Sequence, residues 1–338
     1  MNPKDPNYSQ FALIREMMET VAVVKRFDAR QIADVAREVR SAGRLLLTGE
    51  GSSRIFPAKN ALRKALRWGL DLHLVADGAR QAAQYDLTDF AVFLASNSGR
   101  TKEVVSLARK LAAEGNSRRY ALTANKATPL EEVATKTFVL TCGKEDACAA
   151  TKSVVEQAIF YQSLLSHLAG RDAARDLTGL DQKILQALTL PIDPALVQKA
   201  CRASIIYFAG LNDGVAEELT LKTNEITRKR SDYLEGTYAV HGVEEVMDPI
   251  DVVFVIDPIE EEIGKFQEVL AQGVGLTVIA IADRDTPFPT IRTPSAAEMT
   301  PALYLCAGWN VLVEIGLALG INLDKPQRAR KIGNELIS

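Results

Sequence analysis

The sequence has few of the residues that build metal sites and disulfide frameworks. Its 338 residues include four cysteines and three histidines. No two cysteines form a CxxC pair and the histidines are scattered, so neither residue type supplies the local ligand cluster that zinc requires. We therefore expect no metal site. Reduced thiols in a cytoplasmic protein are the simplest interpretation of the cysteines.

An excess of positive charge and a long hydrophobic segment are also missing. The 40 Lys and Arg residues against 43 Asp and Glu residues leave a net charge of −3, which offers nucleic acid phosphates no overall basic surface. No apolar run approaches the roughly 18–20 residues of a membrane-spanning helix, and the first residues have no signal-peptide core. We expect a cytoplasmic protein that binds neither nucleic acid nor membranes.

What the sequence does contain is an alternation of short apolar segments and helical patterns, with 47% hydrophobic and 25% charged residues overall. This composition is that of a globular protein. The alternation predicts parallel strands with crossover helices, an α/β fold. The predicted strands are 44–48, 70–75, 89–95, 119–123, 137–140, 203–210, 252–257 and 277–282. The predicted helices lie at about 57–68, 101–114, 152–168 and 303–319, with two more between 8 and 39.

The second half of the chain repeats the first. Three apolar segments of the first half recur in the second half at a common offset of about 160 residues. Three matches at one offset indicate a duplication. The two halves join near residues 177–191.

The first candidate site is Ser96-Asn97-Ser98-Gly99-Arg100-Thr101, called the 96–101 loop below. It follows a predicted apolar strand and opens a helix, which is where open α/β sheets bind ligands and where backbone N–H groups favour anions. Its glycine permits close approach, and its three hydroxyl side chains add donors. The pattern favours a phosphate site over the alternative, a plain helix cap with a tight turn.

The duplication provides an internal comparison for this loop. The equivalent segment of the second half, residues 257–262, contains one aspartate and three glutamates. These carboxylates would repel a phosphate at short distance. We therefore predict one phosphate site per chain, in the first half.

A second candidate is a set of charged residues in the second half. Glu218, Lys222, Glu225 and Lys229 are spaced by four, three and four residues, so they share one helix face. That face is either a solvated surface with ion pairs or part of a site. His241 lies sixteen residues beyond Glu225, and a carboxylate with a histidine is a suitable pair for moving protons at neutral pH.

Two further segments are less specific. Residues 49–53, Gly-Glu-Gly-Ser-Ser, end the first predicted strand but lack the GxGxxG spacing, which disfavours a nicotinamide-dependent enzyme. Residues 149–152, Ala-Ala-Thr-Lys, precede a helix. Small residues there either let a ligand approach or simply begin the helix.

Five segments, taken in order, resemble the tandem sugar-isomerase (SIS) domain proteins, especially the isomerase half of glucosamine-6-phosphate synthase and related sugar-phosphate isomerases, deaminases and fructosamine-6-phosphate deglycases. The 96–101 loop is similar to the family's S-x-S-G-x-T loop, and residues 149–152 to its A-S-T-K turn. Residues 222–227 are similar to its K-x-K-E-I-S helix. His241-Gly242 is similar to its H-G-P turn, and residues 324–331 to its D-x-P-R-x-L-x-K tail.

The resemblance covers about residue 35 to the end and implies a fold. We expect two tandem SIS domains, each a flavodoxin-like parallel sheet flanked by helices in three layers. The implied ranges are N-terminal helices at 1–34, a phosphate-binding domain at 35–176, a second domain at 192–322, and a tail at 323–338 that closes over the site.

The resemblance also implies residue roles. Ser96, Asn97, Ser98 and Thr101 would hold a sugar 6-phosphate, and Ser52, Ser53, Ala149 and Lys152 would contact the ligand. Glu225 would move a proton between C1 and C2, with Lys222 beside it. His241 would open the sugar ring in the neighbouring subunit's site, and Lys331 would close over the sugar. The expected assembly is a homodimer with sites at the subunit interface.

The sequence departs from the family pattern at three places, the first being Asn97, where relatives usually have Gln. Glu50-Gly51 stands in the first ligand loop where relatives have Thr-Ser, and Val243 stands where they have proline. The chain begins Met1-Asn2, without a cysteine nucleophile at position 2, so we expect no glutaminase reaction. The resemblance implies an isomerase, deaminase or deglycase of a 6-phosphorylated amino sugar or fructosamine, a reaction for which we expect no cofactor. The alternative is a non-catalytic sugar-phosphate-binding regulator.

Overall fold

A computed structural model of the chain describes residues 1–336, which contain ten strands and fourteen α-helices. The strands are β1 (Arg44–Gly49), β2 (His73–Gly78), β3 (Ala91–Ala95), β4 (Arg119–Thr123), β5 (Lys136–Val139), β6 (Ile205–Gly210), β7 (Arg230–Glu235), β8 (Val252–Ile256), β9 (Thr277–Ala282) and β10 (Thr290–Arg292). The helices are α1 (Pro6–Ser9), α2 (Ala12–Arg26), α3 (Ala33–Ala42), α4 (Ile55–Arg67), α5 (Ala79–Ala82), α6 (Lys102–Ala113), α7 (Pro129–Val133), α8 (Lys152–Ala169), α9 (Ala173–Asp176), α10 (Leu180–Thr189), α11 (Pro194–Arg202), α12 (Val215–Thr227), α13 (Ile263–Phe266) and α14 (Thr300–Ala318).

The first sheet is parallel throughout, in the order β2-β1-β3-β4-β5. Alternate residues of β1 point to opposite faces: Leu45 and Leu47 pack with helices α3, α4 and α8, whereas Leu46 packs with α5, α6 and α7. Every residue of β3 is buried. Because helices cover both faces, the central strands are continuous apolar runs, as parallel sheets require.

The second sheet has the order β10-β9-β8-β6-β7 and is also parallel. When its strands are counted from β6, this is the order of the first sheet. The five-strand order in both sheets is that of flavodoxin-like folds. The structure therefore confirms the duplication and the expected three-layer α/β fold.

Strand prediction worked best for the central strands. β4 and β9 begin and end where the apolar pattern places them, and β8 does so within one residue. β7 and β10 were not predicted. Both are edge strands, and β7 carries the polar sequence Arg-Ser-Asp-Tyr-Leu-Glu, because an edge strand buries little surface.

The chain divides into two compact units, each built on one sheet. The first unit comprises residues 22–146, 150–178 and the tail from 328; the second comprises 1–21, 147–149 and 179–327. The division falls within helix α2, so the N-terminal region 1–34 belongs partly to each unit. The tail is divided in the same way, between residues 327 and 328.

One helix corrects the expectation that no segment is long and apolar enough to cross a membrane. Among the described residues, the segment from 297 to the end of α14 meets that test of length and composition. Its most apolar window is 78% buried inside the protein. α14 is therefore a core helix of the second unit, where it packs against α12.

Candidate functional site

The 96–101 loop brings three hydroxyl groups together at the carboxyl end of β3. Ser96 Oγ lies 2.8 Å from Thr101 Oγ1 and 3.5 Å from Ser98 Oγ. Ser96 is buried, whereas Ser98 and Thr101 are partly exposed. Thr101 immediately precedes α6, yet its side chain makes no hydrogen bond to the first turn of that helix. The hydroxyl cluster therefore faces the loop itself, which a plain helix cap would not require.

The backbone of the loop is held from both sides. Asn125 donates its side-chain amide to the Asn97 carbonyl at 2.7 Å. Gly99 has a φ of +65°, and a Cβ built at this position would lie 2.4 Å from Thr128 Oγ1. Only glycine combines this left-handed backbone with such close packing. The same glycine that suggested phosphate binding therefore also has a packing role.

Sequence reasoning missed one residue next to this loop, Glu145. Its side chain is fully buried. It accepts hydrogen bonds from Asn97 Nδ2 at 2.7 Å, from the Thr151 amide at 2.8 Å and from the Ser153 hydroxyl at 2.7 Å. Lys331 Nζ lies 3.9 Å from the carboxylate. Glu145 follows no strand and belongs to no periodic pattern, so no signal in the sequence separates it from surface acidic residues.

The C-terminal tail runs beside the 96–101 loop. Lys102 donates its amide to the Asn334 carbonyl at 3.0 Å, and Leu336 donates its amide to the Arg100 carbonyl at 2.9 Å. Leu336 also packs on the apolar cluster between the first sheet and α6. These bonds place the tail that carries Lys331 against the loop within the first unit.

The remaining predicted ligand residues lie in short turns. Ser52 is buried and Ser53 partly exposed, both in the 3₁₀ turn Gly51–Ser53 after β1. Ala149 and Lys152 are both buried, and Lys152 is the first residue of α8. Ala149 is in the second unit and Lys152 in the first.

Glu50, the residue that departs from the family pattern, faces the start of α5. Its carboxylate lies 3.4 Å from the Arg80 amide that donates to it. Partial burial raises the pKa of the Glu50 carboxyl, while the backbone amides of Arg80 and Ala79 oppose that rise. The Glu50 carboxylate therefore caps the N-terminus of α5 within the first unit.

The charged face of α12 is not a solvated surface. Lys222 and Glu218 have fully buried side chains, 3.4 Å apart, and Lys222 Nζ lies 2.7 Å from Glu225 Oε2. The Glu225 side chain is 27% exposed. Lys229 donates to the Cys201 carbonyl at 2.9 Å, and burial lowers the pKa of Lys229. The structure therefore places Lys222 and Glu225 in direct contact, with only the carboxylate open to solvent.

His241 is exposed and follows the 3₁₀ turn Tyr238–Val240 in the second unit. Its ring makes no hydrogen bond to any residue in the part of the chain that the structure describes. The imidazole is therefore available to a ligand or to another molecule.

Two clusters result, one in each unit. The first unit groups Ser96, Asn97, Ser98 and Thr101 with Glu145 and Lys331. The second unit groups Glu218, Lys222 and Glu225. Within residues 1–336 no group of three or more His, Cys, Asp or Glu side chains is arranged to hold a metal ion.

The chain has two α/β units with the same strand order, and the first unit carries a hydroxyl-rich loop at the end of a strand. Comparison with known proteins identifies the kind of domain that has these features. Residues 38–167 match the SIS domain family. This match covers most of the first unit, which therefore contains an SIS domain. The fold of the chain is of the phosphosugar-isomerase type.

Curated relatives agree with this assignment. The chain is 26% identical over 322 residues to the isomerizing glutamine–fructose-6-phosphate aminotransferase of Aeropyrum pernix, a match that covers 87% of this chain. It spans 51% of that relative's length. It is also 29% identical over 173 residues to 3-hexulose-6-phosphate isomerase of Mycobacterium gastri, covering 47% of this chain and 82% of that enzyme.

The fold agrees over nearly the whole chain. The C-terminal domain of glucosamine-fructose-6-phosphate aminotransferase from Francisella tularensis superposes with a TM-score of 0.77 at 16% identity. The match covers 95% of this chain and all of that domain. At this identity the agreement concerns the fold alone, and it includes both sheets.

Proposed function

We propose that this chain is an enzyme that isomerises, deaminates or deglycates a 6-phosphorylated amino sugar or fructosamine. The contact between Lys222 and Glu225 carries the proposal. A buried ammonium holds a carboxylate that remains partly open to solvent, at a 2.7 Å separation. A general base must reach its substrate, and the exposed part of the Glu225 carboxylate meets that requirement.

The 96–101 loop binds the phosphate in this proposal. Three hydroxyl groups can donate to phosphate oxygens, and the N-terminus of α6 adds a favourable dipole. The side chain of Asn97 is held by Glu145, so in this chain its contribution is to the shape of the loop. Ser52, Ser53, Ala149 and Lys152 complete the ligand contacts.

The reaction needs an open sugar ring and a proton transfer beside a carbonyl or imine carbon. His241 opens the ring through its exposed imidazole. Glu225 takes the proton from one carbon and returns it to the neighbouring carbon, which converts one carbonyl isomer into the other. Lys222 stabilises the negative oxygen of the enediol intermediate, because a buried ammonium acts strongly where water is excluded. Lys331 contacts the sugar from the tail.

The oligomeric state and the location are parts of the same proposal. His241 is exposed and its ring has no partner among residues 1–336, which suits a side chain that acts in the site of a second subunit. We propose a cytoplasmic homodimer. Size-exclusion chromatography with light scattering tests the assembly directly.

The test combines binding and turnover. Thermal shifts are measured with glucosamine-6-phosphate, fructose-6-phosphate, a fructosamine-6-phosphate adduct and the unphosphorylated sugars, beside assays for ammonia release and for aldose–ketose conversion. A ligand that binds the folded state raises its stability in proportion to the logarithm of its excess over Kd. We expect shifts with the 6-phosphates only, and turnover of at least one of them.

The carboxylate is tested by Glu225→Gln, with Glu268→Gln as the matched control because Glu268 is an exposed, ion-paired glutamate of the same unit. We expect Glu225→Gln to keep ligand binding and to lose about 100-fold or more in kcat. Undiminished turnover would refute the role of Glu225. Tight binding of a 6-phosphate with no turnover by the wild-type protein would identify a sugar-phosphate-binding regulator instead.

A further inference from the structure

Glu145 joins three segments of the first unit that are far apart in the sequence. We propose that Glu145 is a positioning residue that fixes the 96–101 loop, the start of α8 and the tail lysine Lys331 relative to one another. This inference rests on the proposed function, because it concerns the same phosphate site. Nothing in the sequence pattern or in the family motifs described above assigns a role to this residue.

The hydrogen bonds of Glu145 use both carboxylate oxygens. Oε1 accepts from the Thr151 amide at 2.8 Å and from the Ser153 amide at 3.4 Å. Oε2 accepts from the Ser153 hydroxyl and from Asn97 Nδ2, each at 2.7 Å. A fully buried carboxylate is stable only when its charge is compensated in this way. The compensation is supplied by two of the ligand-binding segments themselves.

A helix cap alone would not explain this arrangement. The bonds to Thr151 and Ser153 satisfy the N-terminus of α8, as an ordinary acidic cap does. The contacts to Asn97 and Lys331 come from positions 48 and 186 residues away in the chain. Glu145 therefore connects the start of α8 with the 96–101 loop and the tail, which a helix cap does not need to contact.

Charge makes Glu145 and Lys331 interdependent. A buried carboxylate in direct contact with the 96–101 loop would by itself oppose a phosphate dianion. The ammonium of Lys331, 3.9 Å away and 34% exposed, offsets that charge and is held where it can also attract the ligand. Removing Lys331 therefore exposes the ligand to the charge of Glu145, and removing Glu145 takes away the carboxylate that Lys331 approaches.

The chain offers a matched control in Glu156. This buried glutamate of α8 accepts from the Thr141 and Cys142 amides, both at 2.7 Å, and from the Thr141 hydroxyl at 2.8 Å. Like Glu145 it caps backbone groups from a buried position. The described hydrogen bonds of Glu156 include none to the 96–101 loop or the tail, so it reports the structural cost of losing a buried carboxylate.

The experiment compares Glu145→Gln and Glu156→Gln in the full chain. Hydrogen exchange is followed in the tail, where the Leu336 amide bonds to Arg100, and Kd is measured for inorganic phosphate and for the 6-phosphate that gives the largest thermal shift. We expect Glu145→Gln to speed tail exchange and to raise Kd about tenfold, while Glu156→Gln changes neither. Both variants should lose global stability.

A double-mutant cycle with Lys331→Met isolates the coupling. If Glu145→Gln folds poorly, Lys331→Met alone still tests the charge compensation, because Lys331 is partly exposed. We expect Lys331→Met to raise Kd in the wild-type background and to change it several-fold less in Glu145→Gln. Additive effects, or equal tail exchange in the two glutamine variants, would reduce Glu145 to a helix cap.

The two proposals fail in different ways. If the wild-type protein binds no 6-phosphate, the proposed function is wrong, and tail exchange alone still decides whether Glu145 positions the tail. If the wild-type protein binds and turns over a 6-phosphate but Glu145→Gln behaves like Glu156→Gln, the proposed function stands and the positioning role is wrong.

Discussion

Gly99 has two roles at the scale of single residues. It lets the loop adopt a left-handed backbone, and it leaves room for the buried side chain of Thr128, which a Cβ would approach within 2.4–2.7 Å. The loop hydroxyls can converge only if this turn closes. Gly69 is a control for the backbone role alone, because its φ is nearly the same, +63°, and a Cβ built there would have no neighbour within 4 Å.

Gly99→Ala and Gly69→Ala therefore give different outcomes. Both should lose about 1–2 kcal/mol from the strained backbone. Gly99→Ala should lose about 1–3 kcal/mol more because the new methyl group overpacks the site, and it should weaken binding of a sugar 6-phosphate. Urea unfolding and ligand titration measure both effects. Equal stability losses in the two variants would refute the packing role of Gly99.

The candidate site was only partly predictable at this scale. Ser96, Ser98 and Thr101 were found because hydroxyl residues and a glycine cluster within six positions after an apolar strand. Glu145 was not found, because its role comes entirely from burial and from partners distant in the chain. Helical spacing placed Lys222 and Glu225 on one face but did not show that the face is buried.

At the scale of elements, α12 is held in place by α14. Gly308 of α14 lies against Leu219 of α12, one turn before Lys222, and a Cβ at Gly308 would come within 2.4 Å of the leucine side chain. Leu219 is fully buried and has little room to move. The position of the Lys222–Glu225 pair therefore depends on a glycine in a neighbouring helix.

Gly308→Ala should destabilise the protein even though alanine is the better helix former. Overpacking costs about 1–3 kcal/mol, and the gain in helix propensity offsets at most about 1 kcal/mol. A shift of α12 should also lower kcat. The control is Gly264→Ala in α13, where a Cβ meets nothing within 4 Å, so a small gain in stability is expected. A stabilised Gly308→Ala variant would contradict the close packing of α12 and α14. Chemical denaturation of the two variants measures the change in the free energy of unfolding for each.

Buried and partly buried tyrosines in both units give the whole molecule a common response to alkaline pH. Burial raises the pKa of six tyrosine hydroxyls: Tyr8, Tyr120, Tyr161, Tyr207, Tyr233 and Tyr304. For Tyr8 the pKa rises to about 12, first because of burial and then because its hydroxyl donates to Glu314 at 3.0 Å. An unfolded chain would ionise these groups near pH 10.

The free energy of unfolding should therefore fall as pH rises above 10. Between pH 10 and 12 the unfolded state holds fewer protons than the folded state, so each step in pH favours unfolding; below pH 10 the contribution is complete. Tyr8→Phe should flatten part of this slope, since it removes one of the groups. Urea midpoints between pH 8 and 11.5 measure the slope. Identical slopes for wild type and Tyr8→Phe would exclude Tyr8 as a contributor.

The duplication is also a property of the whole molecule. The repeated apolar segments predicted that the two halves share one strand order, and the two sheets confirm it. The edge strands β7 and β10 escaped prediction because a strand that is paired on one side only needs little hydrophobic surface. An apolar pattern predicts the strands that are buried, and the buried strands lie at the centre of each sheet.

The sequence by itself determined the fold class, the repeat and the loop that carries the hydroxyl groups, because each rests on local periodicity or on residues adjacent in the chain. The tertiary structure alone decided that Glu145 links the loop to Lys331, that Lys222 is buried between Glu218 and Glu225, and that α14 is a core helix rather than an apolar surface segment. These features depend on burial and on contacts between distant residues, which no local pattern encodes.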